Sequence, residues 1–315
     1  MMPAGEERKV EFYSSGLRLR GVLYLPAGAD SRLPLPGVVL CNGFTTVKEL
    51  YLPPLARALA AAGFAALAFD YRGFGESEGP AGRLIPTEEV EDARNAITFL
   101  QSQPEIDGAR IGLFGTSFGG GIAIAAGAAD RRARAIVSNV PVCHGERWLR
   151  GMRPYWDWVE FRRQLQADRM GRVLTGKSRM VDRAVIAPPD PAARRTHDRQ
   201  PPRPQLLLES GEAIIEFKPE EIVERLSPRP LLMIVAADDT RVPPEVSLPT
   251  FERAKEPKSL TVLEGIEHHE VYEPPARDRL LGVLVPWLKT HLEARDPPDN
   301  SLAFHVGLAS RPENP

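Results

Sequence analysis

Residues Ala109 to Asp130 read ARIGLFGTSFGGGIAIAAGAAD. The first part, Arg110 to Gly115, is a short apolar run of the kind that forms a fully buried strand. The second part, Phe118 to Ala129, is small and apolar, interrupted only by glycine, and suits a buried helix. Between them lies Gly115-Thr116-Ser117-Phe118-Gly119, a G-x-S-x-G pattern. A serine on a sharp strand-to-helix turn holds its hydroxyl exposed, and glycines on either side remove side chains that would collide there. The N–H that follows such a serine points to where an oxyanion would form, helped by the positive end of the helix. The pentapeptide alone is a weak signal. The strand before it, the small-residue helix after it and the run Gly119-Gly120-Gly121 strengthen it against the alternative of a glycine-rich turn with an idle serine.

The chain around this stretch has 315 residues, 43% hydrophobic and 26% charged, enough to bury a real core in one large domain with an insertion. A formal net charge of −2 gives no global reason to expect nucleic acid or an anionic membrane as partner. No stretch is long and apolar enough to span a bilayer. The opening MMPAGEERKVEF has no apolar export region, so a cytoplasmic location is expected. Cys41 and Cys143 lack metal-ligand spacing and make no disulfide framework; neither a metal nor a cofactor is expected.

Two strands from Lys9 to Leu25 are predicted around a Ser14-Ser15-Gly16 turn, with Arg18, Arg20 and Val22 alternating against Leu17, Leu19 and Gly21. Pro26 to Pro36 reads as a loop. Gly37 to Cys41 is a buried-strand run leading into Asn42-Gly43-Phe44. A helix follows from Leu50 to Ala62, closed by Gly63, then a strand from Ala65 to Tyr71. Another helix starts at Thr87, carrying acids Glu88 and Glu89 in its first turn, and ends at Pro104. After the serine stretch comes a strand from Arg134 to Val140. This alternation argues an α/β fold, a mostly parallel sheet with helices on both faces.

The pattern breaks from 144 to 227, which reads as an inserted helical cap containing a Pro- and Arg-rich loop, Pro188 to Pro204. It resumes with strands at Pro230–Ala237 and Ser259–Leu263 and helices at Pro244–Lys255 and Pro275–Glu293. The core is therefore expected in 1–143 and 228–295, and 296–315 is expected to be a loosely ordered tail.

A serine hydroxyl needs a base, and the base works best when a carboxylate holds its tautomer. Both belong in loops after later strands. Asp238 and Asp239 follow the strand ending at Ala237; either is also a plausible turn or helix-capping residue. His268 and His269 follow the last strand. Of the other histidines, His291 lies on the final helix, His305 in the tail, and His144 and His197 in or beside the insertion; these last two are read as surface groups, with contact to substrate the alternative for His144.

With these residues the chain resembles the α/β-hydrolase fold enzymes, whose order of nucleophile, acid and histidine matches Ser117, Asp238/Asp239 and His268/His269. The resemblance selects Asp239 from the Asp239-Thr-Arg-Val242-Pro243 context. It selects His268 from His268-His-Glu270-Val-Tyr272. It also implies an oxyanion hole from the N–H groups of Phe44 and Phe118, although Asn42-Gly43 stands where the family usually has His-Gly. Asp70-Tyr-Arg-Gly-Phe-Gly-Glu-Ser77 is similar to the family's loop after the second parallel strand and is read as structural. Phe44-Thr-Thr-Val-Lys-Glu49, with Asp168-Arg169 and Thr175-Gly-Lys177, is similar to the peptidase S15-like and dienelactone-hydrolase-like branch, which includes esterases and polyketide acyltransferases. The implied reaction is acyl transfer through an acyl-enzyme. Hydrolysis of a carboxylic ester leads; acyl transfer or thioester hydrolysis, C–C cleavage of a diketone-like compound, and a degenerate hydrolase that only binds ligand are the alternatives.

Arg147 to Arg203 contains fourteen Lys and Arg against six Asp and Glu, a local +8 that leaves −10 for the remainder. Such a lid either draws in an acidic substrate, or its arginines are solvated or pair with the acidic core. Trp148, Tyr155, Trp156 and Trp158 either line an acyl pocket or form the insertion's own core. The expected partner is a small acyl compound, acidic or aromatic, with a homodimer as the oligomeric option.

Overall fold

The computed structural model describes residues 5–189 and 204–292. Most of the Pro188 to Pro204 loop, the tail from 296, His197 and His305 lie outside the described residues. The chain opens with β1 (Glu6–Ser14) and β2 (Leu17–Leu25), an antiparallel hairpin in which Ser14 pairs with Leu17. Its two turn residues, Ser15 and Gly16, take positive φ of 49° and 80°, as a tight two-residue hairpin requires.

Then come β3 (Leu35–Cys41), α1 (Leu52–Ala61), β4 (Ala65–Phe69), α2 (Pro86–Gln101), β5 (Ile106–Thr116), α3 (Phe118–Ala129) and β6 (Ala133–Asn139). β5 begins four residues before the apolar run because Leu35 pairs with Ile106 ahead of a register shift. After an insertion the order resumes with β9 (Leu231–Ala236), α8 (Pro244–Arg253), β10 (Lys258–Leu263) and α9 (Ala276–Leu292). The eight sheet strands run β1-β2-β4-β3-β5-β6-β9-β10. The pairs β1/β2 and β2/β4 are antiparallel, and every other neighbour is parallel.

The central strands are continuous apolar runs because both faces are covered; every residue of β4 and β9 is buried. On one face Leu55 and Leu59 of α1 pack with Leu280, Leu284 and Leu288 of α9. On the other, Ala93, Ile97 and Leu100 of α2 pack with Ile122 and Ala126 of α3. Parallel strands place all their carboxyl ends on one edge, so the loops after β3, β5, β9 and β10 meet there.

Between β6 and β9 lie α4 (Gly145–Gly151), α5 (Tyr155–Thr175), β7 (Met180–Asp182), α6 (Arg183–Ile186), β8 (Gln205–Leu207) and α7 (Glu209–Glu216). β7 and β8 form a separate antiparallel pair, which the sequence pattern did not foretell. Trp158, Phe161 and Leu165 of α5 bury together with Ile186 and Ile214, and this packing is continuous with the α2–α3 core.

Candidate active site

Ser117 stands at the turn from β5 to α3 with φ 57° and ψ −123°, a conformation that L side chains rarely adopt. The turn is held on three sides. The Ser117 N–H donates to Asn139 O at 2.9 Å, and Ser117 O accepts from Gly120 N at 2.9 Å and Val142 N at 3.0 Å. Two glycines make it sterically possible. A β-carbon added at Gly115 would sit 1.9 Å from Gly119 O, and one at Gly119 would sit 2.2 Å from Asn42 O.

The loops after β9 and β10 bring two partners to this serine. His268 Nε2 lies 2.9 Å from Ser117 Oγ, and His268 Nδ1 lies 2.6 Å from Asp239 Oδ2. All three side chains are buried. Asp239 Oδ1 already accepts the N–H groups of Arg241 and Val242, at 2.8 and 2.7 Å, so its other oxygen is left to face the imidazole. A carboxylate only accepts hydrogen bonds. The network therefore assigns the ring proton to Nδ1 and leaves Nε2 as acceptor for the serine hydroxyl. Asp238 is exposed, and its backbone N–H donates to Ile266 O. His269 sits edge-on to His268, ring centroids 5.3 Å apart.

Thr116, to which sequence reasoning gives no role, and Tyr272, which figures there only as the end of the segment that selects His268, tie the elbow to the histidine loop. Their hydroxyls are 2.9 Å apart, and Thr116 Oγ1 also accepts from Asn139 Nδ2 at 3.0 Å. Tyr272 stacks on Tyr51 with centroids 4.3 Å apart. The available signal was a polar residue closing a buried apolar strand.

Gly43 and Phe44 lie beside the serine: a β-carbon at Gly43 would be 3.5 Å from Ser117 Cβ. The Phe44 ring meets Phe118 edge-on at 6.0 Å. Outside the helix and strand ladders, no backbone acceptor among the described residues takes the N–H of Phe44 or Phe118. Asn42, standing where the resembling enzymes carry His, donates through Nδ2 to Phe69 O at 2.6 Å.

The aromatic residues of the insertion do not form one cluster. Trp148 is buried against Phe44 and Phe118, centroids 5.5 and 5.9 Å away, and its Nε1 donates to Arg241 O. Trp158 is buried beside Phe161. Tyr155 and Trp156 are exposed on α5. The His144 ring accepts the Arg147 N–H and so caps α4. Much of the insertion's positive charge is answered internally: Arg147 pairs with Glu220, Arg169 with Glu212, and Arg172 with Glu209 and Glu212.

A cavity of about 820 Å³ lies along α5 and α7, lined by Tyr155, Trp158 and Arg162 among others. A second, about 570 Å³, is lined by Phe44, Thr45, Phe74, Met180 and Arg183. Neither is lined by Ser117, Asp239 or His268, but the second includes Phe44, whose ring packs on Phe118, the residue after the serine. Among the described residues Glu49, Asp70 and Glu76 bring carboxylate oxygens within metal-binding distance of one another. The Lys48 ammonium stands 2.6–2.7 Å from one oxygen of each, so their charge is already met by a cation of the chain itself.

A sequence profile of the family described as "Serine aminopeptidase, S33" matches residues 34–275. An uncharacterised 31.7 kDa Escherichia coli protein is 31% identical over 84% of this chain and 93% of its own. The thiohydrolase aneE of Aspergillus aculeatus is 28% identical over 83% and 86%. The polyketide transferase claH of Penicillium crustosum is 27% identical over 90% and 97%. Among solved structures, the α/β hydrolase GrgF from Penicillium superposes with a TM-score of 0.78 at 24% identity, covering 92% of this chain and all of that one. The likeness in fold extends over nearly the whole described chain.

Proposed function

The chain belongs to the serine aminopeptidase S33 family of α/β hydrolases, and from that premise we propose that it is a serine hydrolase cleaving a carboxylic ester or related acyl bond through an acyl-enzyme. The observation that carries this reading is the pair of contacts on one imidazole, 2.9 Å to Ser117 Oγ and 2.6 Å to Asp239 Oδ2. Ser117 attacks the acyl carbonyl as His268 Nε2 takes its proton. The N–H groups of Phe44 and Phe118 hold the oxygen that becomes negative, a contribution of roughly 3–4 kcal/mol per donor in enzymes where it has been measured. His268 then protonates the leaving group, and Asp239 stabilises the imidazolium and fixes its tautomer. Water, activated by the same imidazole, releases the acid.

Residues 144–227 act as the cap in this proposal, and the cavity beside Phe44 receives the non-reacting part of an apolar or aromatic acyl compound. Among α/β hydrolases at large, the resemblance of the Phe44–Glu49 pattern to the S15-like and dienelactone-hydrolase-like branch is part of this proposal, and the enzyme works in the cytoplasm without a cofactor. A second reading, thioester hydrolysis or acyl transfer to an alcohol, is favoured by the aneE and claH relatives. It uses the same three side chains and differs in what resolves the acyl-enzyme.

A panel of p-nitrophenyl esters, thioesters with and without an added alcohol, and β-diketones, run on wild-type protein and S117A, tests the proposal. Ester hydrolysis that S117A abolishes supports it. Turnover of thioesters only when alcohol is present moves the assignment to acyl transfer, and turnover of diketones alone moves it to C–C cleavage. Binding without turnover of any of them overturns the enzymatic reading.

A further inference from the structure

The loop carrying Phe44 leaves the sheet at the end of β3 and is fastened to two consecutive residues at the end of β4. Near its start, Asn42 Nδ2 donates to Phe69 O at 2.6 Å. Near its finish, the Lys48 N–H donates to Asp70 Oδ1 at 2.8 Å. Between these fastenings the chain turns tightly. Thr46 N and Thr46 Oγ1 both donate to Gly43 O, at 3.2 and 3.1 Å, and Thr45 takes a φ of 58°.

The Lys48 side chain reinforces the second fastening. Its ammonium lies 2.7 Å from Asp70 Oδ2, 2.7 Å from Glu76 Oε2 and 2.6 Å from Glu49 Oε1. Asp70 Oδ2 also accepts the Glu76 N–H at 3.0 Å, and Asp70 O accepts from Ser77 Oγ at 2.7 Å. Burial on its own would pull the Lys48 amine down, but the bonds from Asp70, Glu49 and Glu76 outweigh it and hold it above its ordinary range. Lys48 is 3% exposed and Asp70 fully buried. A buried ion pair adds little net stability over apolar packing. What this one does is fix both the backbone and the side chain of Lys48 to a single carboxylate.

We propose that Lys48 is a positioning residue which, through Asp70, sets the direction of the Phe44 N–H toward the oxyanion. This rests on the roles assigned above to Ser117 and Phe44. In this proposal the Asp70 to Ser77 segment, structural by its resemblance to the family's loop, is the abutment of the oxyanion loop, and Lys48 is the tie.

The test compares an aryl ester with its thionoester, in which sulfur replaces the carbonyl oxygen that the backbone donors would hold. Sulfur is the poorer acceptor, so the ratio of kcat/KM for the two substrates reports how well the donors are aimed. A ratio does not depend on the fraction of active protein. In K48M the ester kcat is expected to fall about 10- to 100-fold, the size of loss that an ångström of misplacement causes, with KM changed less than about twofold. The ester-to-thionoester ratio falls with it, and K48R recovers part of both. A wild-type ratio in K48M overturns the proposal even if activity drops, because the loss is then not one of aim. Should K48M fail to fold, the neutral K48Q is read by the same ratio, and a wild-type value there counts equally against it. S117A that still turns over the ester, or wild-type protein indifferent to the sulfur, would instead defeat the underlying site assignment.

Discussion

Thr116 Oγ1 and Tyr272 OH lie 2.9 Å apart, joining the residue before the candidate nucleophile to the loop that carries its base. The contact gives His268 a fixed approach to Ser117 across 151 residues of chain. Y272F removes one hydroxyl but leaves Thr116 its bond from Asn139. We expect a loss of about 1 kcal/mol in urea unfolding and a kcat several-fold lower with KM unchanged. A KM effect alone would show that Tyr272 acts on substrate and not on the imidazole.

Asp239 and Asp238 are neighbours in sequence with opposite surroundings, one buried on His268 and the other exposed. In D239N the amide oxygen can keep the Arg241 and Val242 donors, which turns the NH₂ toward Nδ1 and forces the wrong tautomer. We expect kcat to fall roughly 10⁴-fold, as the same change does in the best-studied triad, and D238N to stay near wild type. The reverse ranking in steady-state kinetics would move the acid to Asp238.

Ser117 is held at φ 57° for the sake of its hydroxyl. Such strain costs on the order of 1–3 kcal/mol and glycine relieves it, partly offset by glycine's greater freedom when unfolded. Both S117A and S117G should be inactive, with S117G the more stable by about 1 kcal/mol in chemical denaturation. Equal stabilities would mean that the strain is no larger than glycine's entropic penalty of roughly 0.4–1 kcal/mol, and S117A the more stable of the two would contradict a strained turn.

The His144 ring is held below its ordinary titration range by burial first and then by the nearby Arg147 charge. Its Nδ1 must be unprotonated to accept the Arg147 N–H and cap α4. The folded value lies below the unfolded one, so this contribution is complete above the ordinary histidine range and is lost as pH falls through the folded value. Thermal unfolding scans should show wild type losing more stability than H144N on acidification, since asparagine caps without titrating. Parallel losses in the two proteins would contradict this.

The sheet and the elbow were legible because they rest on local rules: period, breakers, and glycine where backbone meets backbone. Ser117, Asp239 and His268 were legible as types in loops after strands. Choosing between Asp238 and Asp239, or His268 and His269, needed a family resemblance, because adjacent residues differ only in which way a loop turns them. Lys48 and Thr116 were opaque for another reason. Their partners, Asp70 and Tyr272, stand 22 and 156 residues away, and nothing local distinguishes such a lysine from a solvated one. The insertion was the least legible. Tyr155, Trp156 and Trp158 lie close together at the start of α5, yet only Trp158 is buried, since a helix turns neighbours onto different faces.

The most direct test of Ser117 as a hydroxyl activated by His268 is reaction with a fluorophosphonate, followed by mass spectrometry of the peptide spanning Ala109 to Asp130. A single adduct on Ser117 is expected in wild type, absent in S117A and formed far more slowly in H268A. Folded wild-type protein that stays unmodified, or carries its adduct on another residue, would contradict the account.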